Sequence, residues 1–165
     1  MTEFVALNTP RLHLRRLKLE DAPDMYAYFS LDEVTEYYDL ETFTELRQAE
    51  EQIRRFNERI DSGISLRWGI TLRGEDRLIG TCGYHNWQRE HSRAEIGYEL
   101  HPHFWQKGYM TEAVSAILEF GFESMGLNRA EAFIDPDNIS SRRLLEKCGL
   151  KEEGLLRDYF FERLC

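Results

Sequence analysis

Hydrophobic positions along this chain recur at two different periods, and the points where the period changes divide it into elements. Leu12, Leu14 and Leu17 lie in a basic, roughly alternating segment behind Thr9-Pro10, the pattern of a first strand. Leu19-Glu20-Asp21-Ala22 puts acidic residues in a first helical turn and predicts a helix to about Phe29. The stretch 30–43, rich in tyrosine and acid, has no clear period. Thr42 and Glu45 have capping-box spacing, and Leu46, Ala49, Ile53, Phe56 and Ile60 follow at steps of three and four, which predicts a helix to about Asp61. Segments 66–72 and 77–84 read as a hairpin turning at Arg73-Gly74-Glu75-Asp76. After a polar connector over 85–92, segment 94–100 is the third strand of a meander. From Phe104 onward the period lengthens: Val114, Ile117, Leu118, Phe122 and Met125 share one face of a long helix that Gly126 closes. A short strand over 129–134, a turn at Asp135-Pro136-Asp137-Asn138, a helix through Cys148 closed by Gly149 and a last extended segment over 150–164 complete the chain. No repeat, low-complexity stretch or linker divides it. The order predicts one domain over 1–165 of α/β class, a mixed, mostly antiparallel central sheet with helices on both faces.

Composition adds limits. At 165 residues, 42% hydrophobic and 13% aromatic, the chain can build one core without disulfides or a structural metal. Its three cysteines, Cys82, Cys148 and Cys165, are odd in number and lack C-x-x-C spacing, which argues against a disulfide framework or zinc site and suits a reducing cytoplasm. Met1-Thr2-Glu3-Phe4 lacks the features of a signal peptide. No apolar run approaches the roughly 18 residues that span a bilayer. A cytoplasmic protein without membrane contact is expected. The formal net charge of −9 disfavours nucleic acid as a partner. It would attract a cationic amine, and serves solubility equally well.

The chemistry concentrates where the third strand gives way to the long helix. Gly97-Tyr98-Glu99-Leu100 leads through His101-Pro102-His103 to Phe104-Trp105-Gln106-Lys107-Gly108-Tyr109-Met110-Thr111. A helix N-terminus presents unpaired N–H groups and a partial positive charge, which suit phosphate oxygens. Gly108 permits close backbone approach, Lys107 adds a cation and Thr111 a hydroxyl. One glycine before a helix also suits a plain turn, so the residues alone leave both readings open.

Two motifs carry a resemblance. Glu95-Ile96-Gly97-Tyr98-Glu99-Leu100 followed by Trp105-Gln106-Lys107-Gly108-Tyr109-Met110-Thr111-Glu112-Ala113 resembles the central motif of the GNAT acyl-CoA N-acyltransferases, whose Gln/Arg-x-x-Gly-x-Gly/Ala loop wraps the pyrophosphate of acetyl-CoA. Asn138-Ile139-Ser140-Ser141-Arg142-Arg143-Leu144-Leu145-Glu146-Lys147-Cys148-Gly149-Leu150 resembles that family's Asn-x-x-Ser-x-x-x-x-x-Lys-x-Gly-Phe segment. The opening Thr9-Pro10-Arg11-Leu12-His13-Leu14-Arg15 is similar to the branch of ribosomal-protein alanine N-acetyltransferases, which also holds spermidine acetyltransferases. The resemblance covers nearly the whole chain. It implies a GNAT-like fold with acetyl-CoA as co-substrate and no metal. The acetyl group would pass directly to a primary amine, either a protein N-terminus such as that of a ribosomal protein or a small amine (polyamine, amino sugar or antibiotic). A CoA-binding module without catalysis is a third reading. Trp105 stands at the Gln/Arg position, Leu150 stands where Phe is usual, and Met110 replaces the last small residue, which predicts less room beside the cofactor. Similar proteins continue past the position of Cys165 into a final strand. Either that strand is absent or a partner subunit in a homodimer completes the sheet edge.

The resemblance also implies roles. Tyr98, Leu100, Gln106, Lys107, Gly108, Tyr109, Met110 and Thr111 would hold the cofactor, with Asn138 on its pantetheine amide and Lys147, beside Arg143, toward its phosphates. A splay or bulge of the strand at 98–100 would free backbone groups for the pantetheine arm and an N–H for the thioester oxygen. The attacking amine must be neutral, which requires a general base; Glu95 is the candidate and His85, beside Asn86, the alternative. Ser141 is the candidate acid for the leaving sulfur. Purely structural roles compete: Glu95 pairing with Arg93, Tyr98 in the core, Asn138 as a helix cap, Ser141 in local backbone bonds, Lys147 and Arg143 on a solvated face. Cys148, beside Leu144 and Leu145, reads as core. Acceptor choice is expected to lie in 30–43, 85–92 and the C-terminal end.

Overall fold

Residues 4–38 and 40–157 are described by the computed structural model. Six strands lie side by side in chain order: β1 (Leu7–Asn8), β2 (Leu12–Arg15), β3 (Leu66–Leu72), β4 (Gly80–Gln88), β5 (Arg93–Leu100) and β6 (Arg129–Glu131). Each neighbouring pair is antiparallel except the last, because β5 and β6 are joined by a helical crossover. The helices are α1 (Ala22–Phe29), the single turn α2 (Asp32–Thr35), α3 (Leu46–Asp61), α4 (Tyr109–Glu123) and α5 (Ile139–Lys147). No helix among the described residues is long and apolar enough to cross a membrane.

Strand alternation sends side chains to two cores. Trp68, Ile70, Cys82, Tyr84, Ala94 and Ile96 are buried with Ala113, Val114 and Ile117 of α4. On the opposite face Leu17, Met25, Tyr28, Phe29, Ile53 and Phe56 form a second cluster from α1 and α3. The sheet is therefore mixed and mostly antiparallel, with helices on both faces, as the pattern predicts.

Several expectations are corrected. The cap of α3 is Glu45 with Gln48, whose Oε1 accepts from the backbone N–H of Thr44 at 2.6 Å and of Glu45 at 2.9 Å. Thr42 instead holds α2, donating to Asp32 Oδ1 at 2.7 Å and meeting Thr35 Oγ1 at 2.6 Å. The fourth strand begins three residues late, since the Leu78 N–H is taken by Asp24. It continues to Gln88 through a bulge after His85, where Asn86 adopts φ +47°; the extra residue breaks the alternation that would have announced a strand. On α4, Phe122 is 47% exposed while Phe120 and Gly121 face inward. Phe122 stands five residues beyond Ile117, about 140° around the helix. The strand expected over 129–134 stops at Glu131. β1 had no sequence signal. Residues 150–157 form no strand, and the remainder of the predicted extended segment, 158–164, lies outside the described residues.

Candidate active site

β5 and β6 pair at only three positions, Arg93 with Arg129, Ala94 with Ala130 and Glu95 with Glu131. Beyond Glu95 the strands part, and β5 runs on to Leu100 with no strand on that side among the described residues. The phase of β5 follows from the His101 N–H, which donates to the Ile79 carbonyl at 2.7 Å. Residues of odd number thus turn toward β4; the Ile96 N–H completes the pairing with Glu131, and the Ile96 carbonyl and the N–H and C=O groups of Tyr98 and Leu100 face the gap. The Leu100 carbonyl is met there by the Trp105 indole N–H at 2.8 Å. That bond explains why an aromatic serves at this position: it ties the loop to the strand end.

The loop after β5 is shaped by two left-handed residues, Gln106 (φ +60°) and Gly108 (φ +79°). Gly108 is the N-cap of α4, and Glu112 N–H closes the first turn onto its carbonyl at 3.1 Å. The N–H groups of Tyr109, Met110 and Thr111 precede that first helical bond and point out of the helix end. Gln106, Lys107 and Gly108 are exposed, and Tyr109 and Thr111 half-buried. The Met110 side chain is buried in the α4 core. Its bulk enters the core, so the expected narrowing beside the cofactor is corrected. Arg11, from the turn between β1 and β2, reaches this loop: its Nη1 donates to the Lys107 carbonyl, its Nε to Glu112, each at 2.9 Å, and its guanidinium lies 4.4 Å from the Tyr109 ring centroid.

α5 borders the gap on the α4 side. Asn138 caps it, its Oδ1 accepting from the Ser141 N–H at 3.2 Å. The Tyr98 hydroxyl is buried and among the described residues has no hydrogen-bond partner. Burial pushes its pKa up to about 12, an effect that the neighbouring Ser141 side chain opposes. Tyr98 and Ser141 are thus brought together. Lys147 and Arg143 are exposed on α5. Cys148 is half-buried against the α4 core, its Sγ 3.7 Å from the Thr111 carbonyl.

Glu95 lies on the other face of β5, so the structure does not bring it to Ser141. It pairs with His85, Nε2 to Oε2 at 3.0 Å, whereas Arg93 is engaged by Gln88. Burial raises the Glu95 pKa above the usual carboxylate range, a hydrogen bond from Asn86 opposes this, and the charge of Glu131 adds to it. Burial, with the charges of Arg67 and Arg59, pushes His85 down to about 4. The facing carboxylate works against that shift. The imidazole side chain is 48% exposed, so water screens much of each effect. A neutral ring at pH 7 follows from either the ordinary or the lowered value. Gly97 makes the arrangement possible: a Cβ there would stand 2.7 Å from Arg67 Nη1 and 3.2 Å from the His85 ring.

Beneath this pair lies a buried polar cluster that the sequence did not reveal. Arg67 and Glu99 form an ion pair at 2.6 Å, and Glu99 also accepts from Thr81, Tyr28 and Tyr38. Arg67 donates to Tyr38 and Thr81 as well. Opposite charges on the two strands that flank β4, Arg67 on β3 and Glu99 on β5, were the available signal. Among the described residues no group of His, Cys, Asp and Glu is placed to hold a metal.

Residues 11–151 match the family described as acetyltransferase (GNAT) domain. This chain belongs to the GNAT acetyltransferases. It is 42% identical over 159 residues to the uncharacterized N-acetyltransferase YoaA of Bacillus subtilis, covering 96% of this chain and 90% of YoaA. The crystal structure of a GNAT-family acetyltransferase from Bacillus anthracis is 29% identical with a TM-score of 0.81, over 91% of this chain and 86% of that one. RimL, a ribosomal L7/L12 alpha-N-protein acetyltransferase solved with coenzyme A, shares the fold at a TM-score of 0.86 and 15% identity, over 95% and 90% of the two chains. The GNAT enzyme described here is an N-acetyltransferase, and its family uses acetyl-CoA, present in one solved fold neighbour.

Proposed function

We propose that this GNAT enzyme works as one domain in the cytoplasm and moves an acetyl group from acetyl-CoA directly onto a protein N-terminal amine, such as that of a ribosomal protein. The observation that carries the reading is the parting of β5 and β6, with Glu95 and His85 on one face of β5 and Tyr98 and Ser141 on the other. Similarity of fold to RimL supports the class of acceptor. A net charge of −9 favours approach of a cationic amine.

On this reading the helix end at Tyr109, Met110 and Thr111, with Gln106, Lys107 and Gly108 before it, holds the pyrophosphate. The Ile96 carbonyl, the Tyr98 N–H and C=O and the Leu100 N–H receive the pantetheine arm. Asn138, its Oδ1 engaged by Ser141, offers the cofactor its amide NH2, and Lys147 approaches the phosphates. Glu95 accepts the ammonium proton, with His85 as its hydrogen-bonded partner. The nitrogen lone pair then attacks the thioester carbon, and a backbone N–H of β5 stabilises the oxygen that gains charge. The carbon–sulfur bond breaks as the nitrogen gives up its remaining extra proton, which passes by way of the Ser141 hydroxyl, near Tyr98, to the leaving thiolate and leaves Ser141 neutral.

Free-thiol release with acetyl-CoA and a panel of N-terminal peptides and small amines tests the acceptor. Turnover on peptides with a free N-terminus is expected. Turnover on polyamines, amino sugars or antibiotics but on no peptide would replace this reading. Acetyl-CoA binding with no turnover on either group would point to a non-catalytic module.

A further inference from the structure

We propose that Arg11, about a hundred residues away in sequence, is a working part of the pyrophosphate site. The inference rests on the assignment of the 105–111 loop to the phosphates. Arg11 makes three separate contacts with the loop and helix: the Lys107 carbonyl, the Glu112 carboxylate and the Tyr109 ring. Together they fix the peptide on either side of Gly108, the residue whose left-handed conformation aims the helix end outward. The remaining nitrogen, Nη2, lies 3.2 Å from where a Gly108 Cβ would stand. It therefore sits beside Gly108, the N-cap of the helix whose first-turn N–H groups are unpaired.

The second argument is charge. Glu112 occupies the first turn of α4, where an unshielded carboxylate would repel a bound pyrophosphate. Both its oxygens are engaged, Oε1 by Arg11 Nε and Oε2 by the Arg11 N–H and the Thr9 hydroxyl. Burial alone would raise the Glu112 pKa, but the bonds from Thr9 and Arg11 outweigh it and hold the pKa low, so the side chain carries its negative charge at neutral pH. Arg11 cancels that charge where the ligand's phosphates arrive. A planar guanidinium does all of this at once, which a lysine ammonium cannot. The opening Thr9-Pro10-Arg11 thereby gains a function beyond starting the second strand.

Calorimetry on the full chain with CoA, and with pantetheine as a ligand lacking the phosphates, tests the assignment. Arg11→Ala is expected to weaken CoA about tenfold or more, the scale of one charge-assisted hydrogen bond, while pantetheine affinity stays within about twofold. Arg11→Lys, which keeps the cation, is expected to recover part of the loss and serves alone if the alanine variant does not fold. Unchanged CoA affinity in the foldable variant, or equal weakening of both ligands, overturns the role of Arg11. Wild-type protein that binds pantetheine as tightly as CoA overturns the loop assignment itself.

Discussion

At the scale of the residue, Glu95 and His85 show how two candidates for one role turn into a pair. They lie ten positions apart in sequence, and antiparallel pairing sets them directly opposite. Glu95→Gln keeps the size and removes the proton acceptor. Turnover should fall about a hundredfold or more, the usual contribution of a general base, with CoA affinity unchanged by calorimetry. Equal turnover and an equal pH profile would remove Glu95 from the chemistry. His85 makes a separate prediction for stability. Its folded pKa of about 4 lies below the ordinary 6.5, so the unfolded chain binds the proton first as pH falls. The contribution is present in full above about 6.5 and is lost as pH drops through about 4. Urea midpoints of the wild type should therefore decline more steeply across that window than those of His85→Asn. Parallel curves would mean that His85 is not held neutral by its surroundings.

At the scale of the element, the start of α4 is where backbone conformation and binding meet. Gly108→Val places a β-branched residue at φ +79° with its Cβ against Arg11, a conformation such residues rarely adopt. Acetyl-CoA should bind at least about tenfold more weakly in titration, following loss of the aligned N–H donors; full retention of affinity would refute the loop assignment. The start of α4 was legible in the sequence because a strand, a glycine and a helical stripe occur there in close order. α3 was equally legible, since Ala49, Ile53, Phe56 and Ile60 all reach the core. β4 was not read to its end because a bulge hides alternation, and β1 is two residues long. Arg11 could be recognised as a motif residue but not as a loop brace, because its partner Glu112 is 101 positions away. Family likeness alone led to the expectation of a splay or bulge at 98–100; the pairing with β6 ceases earlier, after Glu95, and nothing in the alternation of either strand marks that point.

At the scale of the whole molecule, the Arg67–Glu99 pair joins the second core to the sheet. Glu99 receives Tyr28 from α1 and Tyr38 from the segment after α2, so the helical cover on the α1 and α3 face is fastened to the strand that borders the gap. Arg67→Met alone leaves a buried carboxylate without its counter-ion and should destabilise the fold by about 3–5 kcal/mol in urea denaturation. Arg67→Met with Glu99→Leu should lose less than the sum of the two single changes. A strictly additive result would mean that the two charges do not depend on one another.

The gap between β5 and β6 has a consequence for the protein's life between reactions. Strand edges left unpaired invite other strands to add to them, the first step of aggregation. On the proposed placement of the acyl donor in the gap, its arm would cover that edge, and a ligand at a hundred times its Kd stabilises the folded form by about 2.7 kcal/mol. Donor supply would then govern shelf life as well as turnover, with the fold best protected at saturating acetyl-CoA and its sheet edge exposed without it.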